Sequence, residues 1–523
     1  MRRLVAGTAV MVACSAGYAL AGDLDGNRLR LAGVMAVWWG VAIATTRWVR
    51  RGRPALRRSG GRLLLLVFLA ALVVQLPGLL TAPRSSSDAY RYVWDGRVQL
   101  SGTSPYRYAP LDDRLAALRD PVLFPGLGPA DRSGFPTQPL PRTRAQVLER
   151  SSNDPRTRIN RPQVPTIYPP VAEAWFAAVA WVTPRGWGTR GLQLGSALVA
   201  AGVALALAAL LRRRGADPWS ALWWAWCPTV VAEAGNGAHV DVLAAAWVLL
   251  ALAAASGRDR GRRQGDRLVS AARMGLTGLL AGLAIATKLY PALLLASLFP
   301  LRRNLTRVLG TGLVAVATVA AVYLPHWLAA GSLVLGYLPG YLVEEAGPNR
   351  SGILSLALPD AAVTPVSVIV LAAVAAAVAW RVGTGSRSVA EGAAVLFGTL
   401  LLVTTPSYPW YALPLVACAV LAERLEWLVV AGAAVLAYAS VSVHPLPTVA
   451  YSAAAALVVL VTLGRRALGP RLLADDDVGP GQLVVQGLLA LVPRRPQEIE
   501  QRHQPEQVAH ERDVAEQAEP RLQ

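Results

Sequence analysis

Residues 47–62 read RWVRRGRPALRRSGGR, and residues 63–81 continue as LLLLVFLAALVVQLPGLLT. The second stretch is long enough to cross a bilayer as a helix, which takes about 20 apolar residues. The first carries arginines at 47, 50, 51, 53, 57, 58 and 62, and a short loop of that kind stays on the cytoplasmic side. Together they set the direction of the chain. The N-terminus lies inside, the third helix runs outward, and everything from Thr81 to Pro170 is extracytoplasmic. That long loop has arginines of its own, but a segment of its length is largely exempt from the charge rule.

The rest of the chain fits a lipid solvent. Of 523 residues, 54% are hydrophobic and 16% charged, with a mean hydropathy of +0.40, too apolar for a soluble protein of this size. A net charge of +19 would suggest a nucleic-acid partner in a soluble chain. Here the arginines cluster in short loops between apolar runs, so the positive-inside bias and anionic lipid account for it, and no nucleic acid is expected. The expected fold is all-α: a polytopic integral membrane protein of about 12–14 transmembrane helices, with a large first extracytoplasmic loop after helix three. Spans are expected near 4–21, 31–46, 63–81, 192–211, 220–234, 242–256, 274–287, 289–300, 307–324, 362–380, 389–405, 409–422, 427–443 and 446–463.

Arg2 and Arg3 precede an apolar run, as in a signal peptide. A second span follows closely, so the run reads as the first membrane helix. Val171–Val182 has only about half the length a span needs. Because Leu192–Leu211 ends on Arg212, Arg213 and Arg214, the short run is expected to be re-entrant or interfacial. Residues 1–466 form the membrane domain, with the 82–170 loop inside it. Residues 467–523 form a cytoplasmic, largely disordered tail, poor in aromatics and rich in Gln, Glu, Arg and Pro from 493 onward. Cys14, Cys227 and Cys418 lie in apolar runs with neither metal-ligand nor disulfide spacing, and read as core residues.

Chemistry concentrates just past the third span, in SSSDAYRYVWDGRVQLSGTSPYRYAP, residues 85–110. If Asp88 to Asp95 is helical, both carboxylates share one face, with Arg91 and Tyr92 between them. Two readings are open: Asp88 caps the helix and Asp95 pairs with Arg91, or the carboxylates belong to a site. Lys288, within AIATKLYPALLL, is the one lysine among 51 basic residues. It either snorkels to the interface or offers a compact cation to a phosphate. EAGNGAHVDV places Glu233, His239 and Asp241 where a span reaches the outside. They are helix caps, or functional groups by the rule that ionisable residues at membrane depth usually are; a metal there would lack tight ligand spacing. His239, His326 and His444 all fall at expected outer ends, as do the aromatics of TIYPP and SYPWYALP, which serve either an interfacial belt or sugar stacking.

The strings SDAYRYVWDGRVQLSGTSPYRY, INRPQVPTIYPP, WCPTVVAEAGNGAHVDVL, ATKLYPALLL and PSYPWYALP, in that order, resemble the GT-C superfamily of polytopic glycosyltransferases. The likeness is to bacterial polyprenyl-phosphate-mannose-dependent mannosyltransferases and covers roughly residues 60–420. The resemblance implies a catalytic aspartate in the first outer loop, which maps to Asp88 with Asp95 second. The residues expected to bind donor phosphate and substrate are Lys288, Tyr290, His239, Asp241, Arg91, Arg161, Tyr168 and Trp410. The chain departs from the pattern at Val240, where Asn is expected, and at Arg161, where His is expected. The implied activity is inverting transfer of a hexose, mannose foremost, from a polyprenyl-phosphate donor to a lipid- or glycan-borne acceptor at the outer face of the plasma membrane. No cofactor is needed, because a lipid monophosphate leaves as a stable anion without a metal. The alternatives are a lipid or lipid-linked glycan transporter without catalysis, and a polymerase or ligase acting on diphosphate-linked glycans.

Overall fold

The computed structural model describes residues 1–21, 24–52, 60–135, 144–256, 264–299, 305–345, 353–406, 408–440, 443, 445–472, 483–486 and 488. Every regular element among them is helical. Seven helices among the described residues are long and apolar enough to cross a membrane: Arg2–Leu20, Arg28–Arg51, Gly61–Leu80, Arg190–Arg213, Leu305–Glu344, Asp360–Gly383 and Leu446–Leu468. An eighth candidate is a pair, Pro228–Asn236 and Asp241–Ala255, bent by 119°. Five further apolar helices have 10–17 residues, among them Pro170–Val182 and Pro409–Leu421.

The expected 12–14 spans are therefore met by full-length helices only in part, and proline supplies the reason. Proline has no N–H for the helix ladder and starts new elements. The expected span at 220–234 opens with a 3₁₀ turn at Pro218–Ala221, then breaks into Leu222–Ala225, Pro228–Val230 and a π-helical turn at Val231–Asn236. The expected span at 289–300 shrinks to a 3₁₀ turn at Tyr290–Leu293 and the five-residue helix Leu294–Leu298. Pro170–Val182 is a 13-residue helix, short as its apolar run implies.

The chain divides into two compact units, Met1–Val458 and Val459–Gln523. The boundary falls within the Leu446–Leu472 helix. Described residues of the second unit are the end of that helix, 483–486 and 488; the disorder expected for 493–523 lies outside the described residues. In the first unit the main core joins membrane helices through Met11, Trp38, Trp224 and Trp226. Cys227 and Cys418 are buried in it as free thiols.

A second core lies beneath the 82–170 loop. The Asp88–Leu100 helix buries Ala89, Tyr92, Trp94 and Val98 against Phe124, Tyr168 and Phe176. Tyr92 stacks on Phe176 with ring centroids 4.2 Å apart. Gly96 makes the approach possible, since a Cβ there would overlap the Phe176 carbonyl. Two short helical elements stand in the loop, a 3₁₀ turn at Asp113–Leu118 and the helix Arg144–Arg150. Its arginines are internal staples: Arg119 pairs with Asp113 at 2.9 Å, Arg156 with Asp154 at 2.8 Å, and Arg97 with Asp120.

Candidate active site

A cavity of about 460 Å³ opens where the 82–170 loop meets the ends of the membrane helices. The segment entering its wall is sewn down by two buried amides. Asn236 Nδ2 donates to the carbonyls of Gly78 (3.0 Å) and Ala82 (3.1 Å), while its Oδ1 accepts from the Arg84 N–H at 2.7 Å. Gln193 Nε2 donates to the carbonyls of Gly78, Thr81 and Asn236. Backbone groups that would be orphaned in an apolar surround are thereby satisfied. The serines and Asp88 are delivered to the cavity in one register.

Asp88 begins its helix, but its carboxylate does not cap it. The Asp88 N–H donates to Ser86 Oγ at 3.1 Å, and its Oδ1 accepts from Asn160 Nδ2. Asp88 lines the cavity. Asp95, two turns on, is 1% exposed and is held by Arg91 Nε at 3.0 Å. Burial raises the Asp95 carboxyl above the usual carboxylate range, and the Arg91 guanidinium opposes that rise. Arg91 NH1 in turn donates to the carbonyls of Arg161 and Val164. The Arg91–Asp95 pair thus sits one layer behind the cavity and fixes the neighbouring turn.

The GNGAHVD stretch is a break between helices. A π turn at Val231–Asn236 and a left-handed Ala238 (φ +54°) reverse the chain and bury His239 and Asp241. Strain of this kind gathers at functional sites. The His239 ring stacks on Trp410 at 3.7 Å, its Nε2 lies 3.1 Å from Ser86 Oγ, and its Nδ1 lies 3.5 Å from Glu233. Ser85 Oγ donates to Glu233 at 2.9 Å. Asp241 accepts from Tyr290 OH at 3.0 Å and pairs with Lys288 Nζ at 3.4 Å. The Lys288 side chain is 12% exposed, lines the cavity, and lies 5.0 Å from the Tyr168 ring and 5.4 Å from that of Tyr411.

On the loop side Arg161 is also left-handed (φ +45°). Its Nε and NH2 donate to Glu344 at 3.0 and 2.7 Å, and its guanidinium lies over Tyr341. Of the expected site residues, Asp88, Arg161, Tyr168, Lys288 and Trp410 line the cavity. Arg91, Asp95, His239, Asp241 and Tyr290 stand behind that lining and hold it. Sequence reasoning passed over Arg28, Arg84, Tyr341 and Tyr438, which also line it. Glu344 was missed too, as was the buried Glu173, which accepts from Thr166 Oγ1 at 2.6 Å and Gln99 Nε2 at 2.8 Å. Glu173 could have been found as a charge inside an apolar run; Arg28 and Arg84 carry no such signal in a chain this rich in arginine. His326 meets the Tyr106 ring edge-on, and His444 lies outside the described residues. Among the described residues no group of three or more His, Cys, Asp and Glu could hold a metal ion.

Two family models match the chain. Residues 166–406 match glycosyltransferase family 87, and residues 4–121 match the N-terminal domain of alpha-(1->6)-mannopyranosyltransferase. Neither the curated proteins nor the solved structures contain a match. The second model takes in Arg28, Arg84 and Asp88, and the first takes in Tyr168, Lys288 and Tyr341, so the two meet across the cavity. With an all-helical membrane architecture around that cavity, the chain belongs to the GT-C superfamily of glycosyltransferases.

Proposed function

We propose that the enzyme moves mannose from a polyprenyl-phosphate donor to a lipid- or glycan-borne acceptor at the outer face of the plasma membrane, with inversion and with Asp88 as the base. One observation carries this reading: Asp88 is the one carboxylate among the described residues lining the cavity, and it shares that lining with Lys288 and Arg161. A base and phosphate-binding cations therefore face one space. The acceptor hydroxyl gives its proton to the Asp88 carboxylate as its oxygen bonds to the anomeric carbon. The bond from that carbon to the phosphate oxygen breaks, and the lipid phosphate leaves with the electron pair. Lys288, a point charge, and Arg161, a planar fork, stabilise the anion. Tyr168, Tyr408, Trp410 and Tyr411 supply faces on which a pyranose ring can stack.

Asn160 keeps the Asp88 carboxylate aimed by donating to one oxygen. Mannose is favoured over other hexoses by the description of the N-terminal family model. The test uses purified protein in nanodiscs, radiolabelled polyprenyl-phosphate mannose or glucose, and a total lipid extract as acceptor. Transfer of mannose with inverted anomeric configuration is expected. Transfer from a nucleotide sugar instead, or retained configuration, would overturn the reading.

A further inference from the structure

Among the described residues Arg161 makes its ion pair with Glu344, whose place is unusual for a structural counter-ion. It lies near the end of the Leu338–Glu345 helix, 183 residues along the chain from Arg161. One of its oxygens takes both Nε and NH2 of the guanidinium, while the other accepts from Tyr337 OH at 2.6 Å. Tyr337 is anchored in turn, its backbone N–H donating to the Thr166 carbonyl at 3.1 Å. Tyr341, on the same helix, lies under the Arg161 guanidinium and hydrogen-bonds Tyr411 OH at 2.9 Å. The helix therefore touches the cavity through Tyr341 and closes on Arg161 through Glu344. Asn160, next in the chain, holds Asp88. One strained turn links the carboxylate of the base to the helix that carries Glu344.

We propose that Glu344 is an exchangeable counter-ion, occupying the Arg161 fork until the phosphate of the donor displaces it. This rests on the donor reading above. A carboxylate and a phosphate monoester or diester compete for the same guanidinium edge, because both accept paired N–H bonds from it. A carboxylate left beside the bound phosphate would repel it, so donor binding drives Glu344 off. The Leu338–Glu345 helix then loses its ion pair to the loop and keeps the packing of Tyr337 on Val147 and Val164 and the contacts of Tyr341. The exchange makes Glu344 a residue that sets donor affinity without touching the sugar.

The experiment measures binding of polyprenyl phosphate, and of the uncharged polyprenol with the same chain, to the purified full chain in nanodiscs, with hydrogen exchange of residues 338–345 as the second readout. E344Q keeps the shape and removes the competing charge. It should tighten polyprenyl phosphate by about fivefold, the size of a partly exposed ion pair, and leave polyprenol unchanged. Y337F, which frees the other Glu344 oxygen, should shift affinity the same way by a smaller factor. In the wild type, polyprenyl phosphate should speed exchange in 338–345 and polyprenol should not. If wild type and E344Q both fail to bind polyprenyl phosphate, the donor reading falls and this inference with it. If the wild type binds it and E344Q binds equally or more weakly, Glu344 is a fixed support for Arg161 and the exchange alone is overturned.

Discussion

Lys288 Nζ lies 3.4 Å from Asp241 Oδ2, and the two differ in surroundings: Asp241 is fully buried, while Lys288 reaches the cavity. On the proposed reading the carboxylate is an anchor and the ammonium is the working end. Asp241→Asn leaves a partly buried cation without its counter-charge, which should cost about 3 kcal/mol of stability. A melting curve in detergent checks this. Lys288→Met leaves the buried Asp241 carboxylate unpaired and should lower stability by a similar amount, but unlike Asp241→Asn it should also raise the KM for donor about 10- to 100-fold, the loss of a charge-assisted contact to phosphate. Lys288→Arg should recover only part of it, since a planar fork does not replace a point charge in a closed pocket.

Asp88→Asn keeps the volume and one oxygen but loses the base. Turnover at saturating donor should fall about 100- to 10,000-fold with little change in melting. Asp95→Asn should behave in the opposite way. It strands the Arg91 guanidinium in a site where Asp95 is 1% exposed, so stability should fall by about 3 kcal/mol while donor binding changes little. Equal, modest losses of turnover in both variants would remove Asp88 from the role of base.

The loop should respond to acid through its staples. The Ser133 N–H and the Arg119 guanidinium hold the Asp113 carboxyl down at about 2, and Arg156 holds Asp154 below the ordinary range. The unfolded value of an aspartate is about 3.9. A depressed folded value means that this stabilisation is complete above about pH 4 and is lost as the pH falls through the folded value. Limited proteolysis of the 82–170 loop should therefore accelerate between about pH 4 and pH 2. Asp113→Asn should be cut faster at neutral pH and show a shallower dependence. An unchanged profile in that variant would show that Asp113 is not part of the staple.

The arginine-rich loops predict a sidedness that labelling can read. In a background without native cysteines, a cysteine at Ser152, exposed in the loop, should react with an impermeant thiol reagent added outside intact cells. A cysteine at Gly215, exposed just past Arg212, Arg213 and Arg214, should stay protected until the membrane is opened. The reverse pattern would place the cavity on the cytoplasmic side.

Much of the architecture was legible because its signals are local. An apolar run of sufficient length must satisfy its own backbone in lipid, and so it is a helix. The helical spacing of Asp88, Arg91 and Asp95 was likewise readable, and the Arg91–Asp95 pair forms as an i, i+4 contact should. The count of full spans was less so. An apolar composition continues through Pro218, Pro228 and Pro291, whereas the helix does not.

The sequence by itself determined that the chain lives in a membrane, that a large loop follows its third span, and which short stretches gather ionisable and aromatic side chains. Only the tertiary structure decided which of those side chains face the cavity and which stand behind them. Asn160 meets Asp88 across 72 residues, and Arg161 meets Glu344 across 183. No periodicity encodes such distances. In an apolar interior each buried polar group must end against a partner, but which partner it finds is set by how whole helices pack. That is why Lys288 was conspicuous as a lone lysine, while its counter-ion, Asp241, could be read equally well as a helix cap.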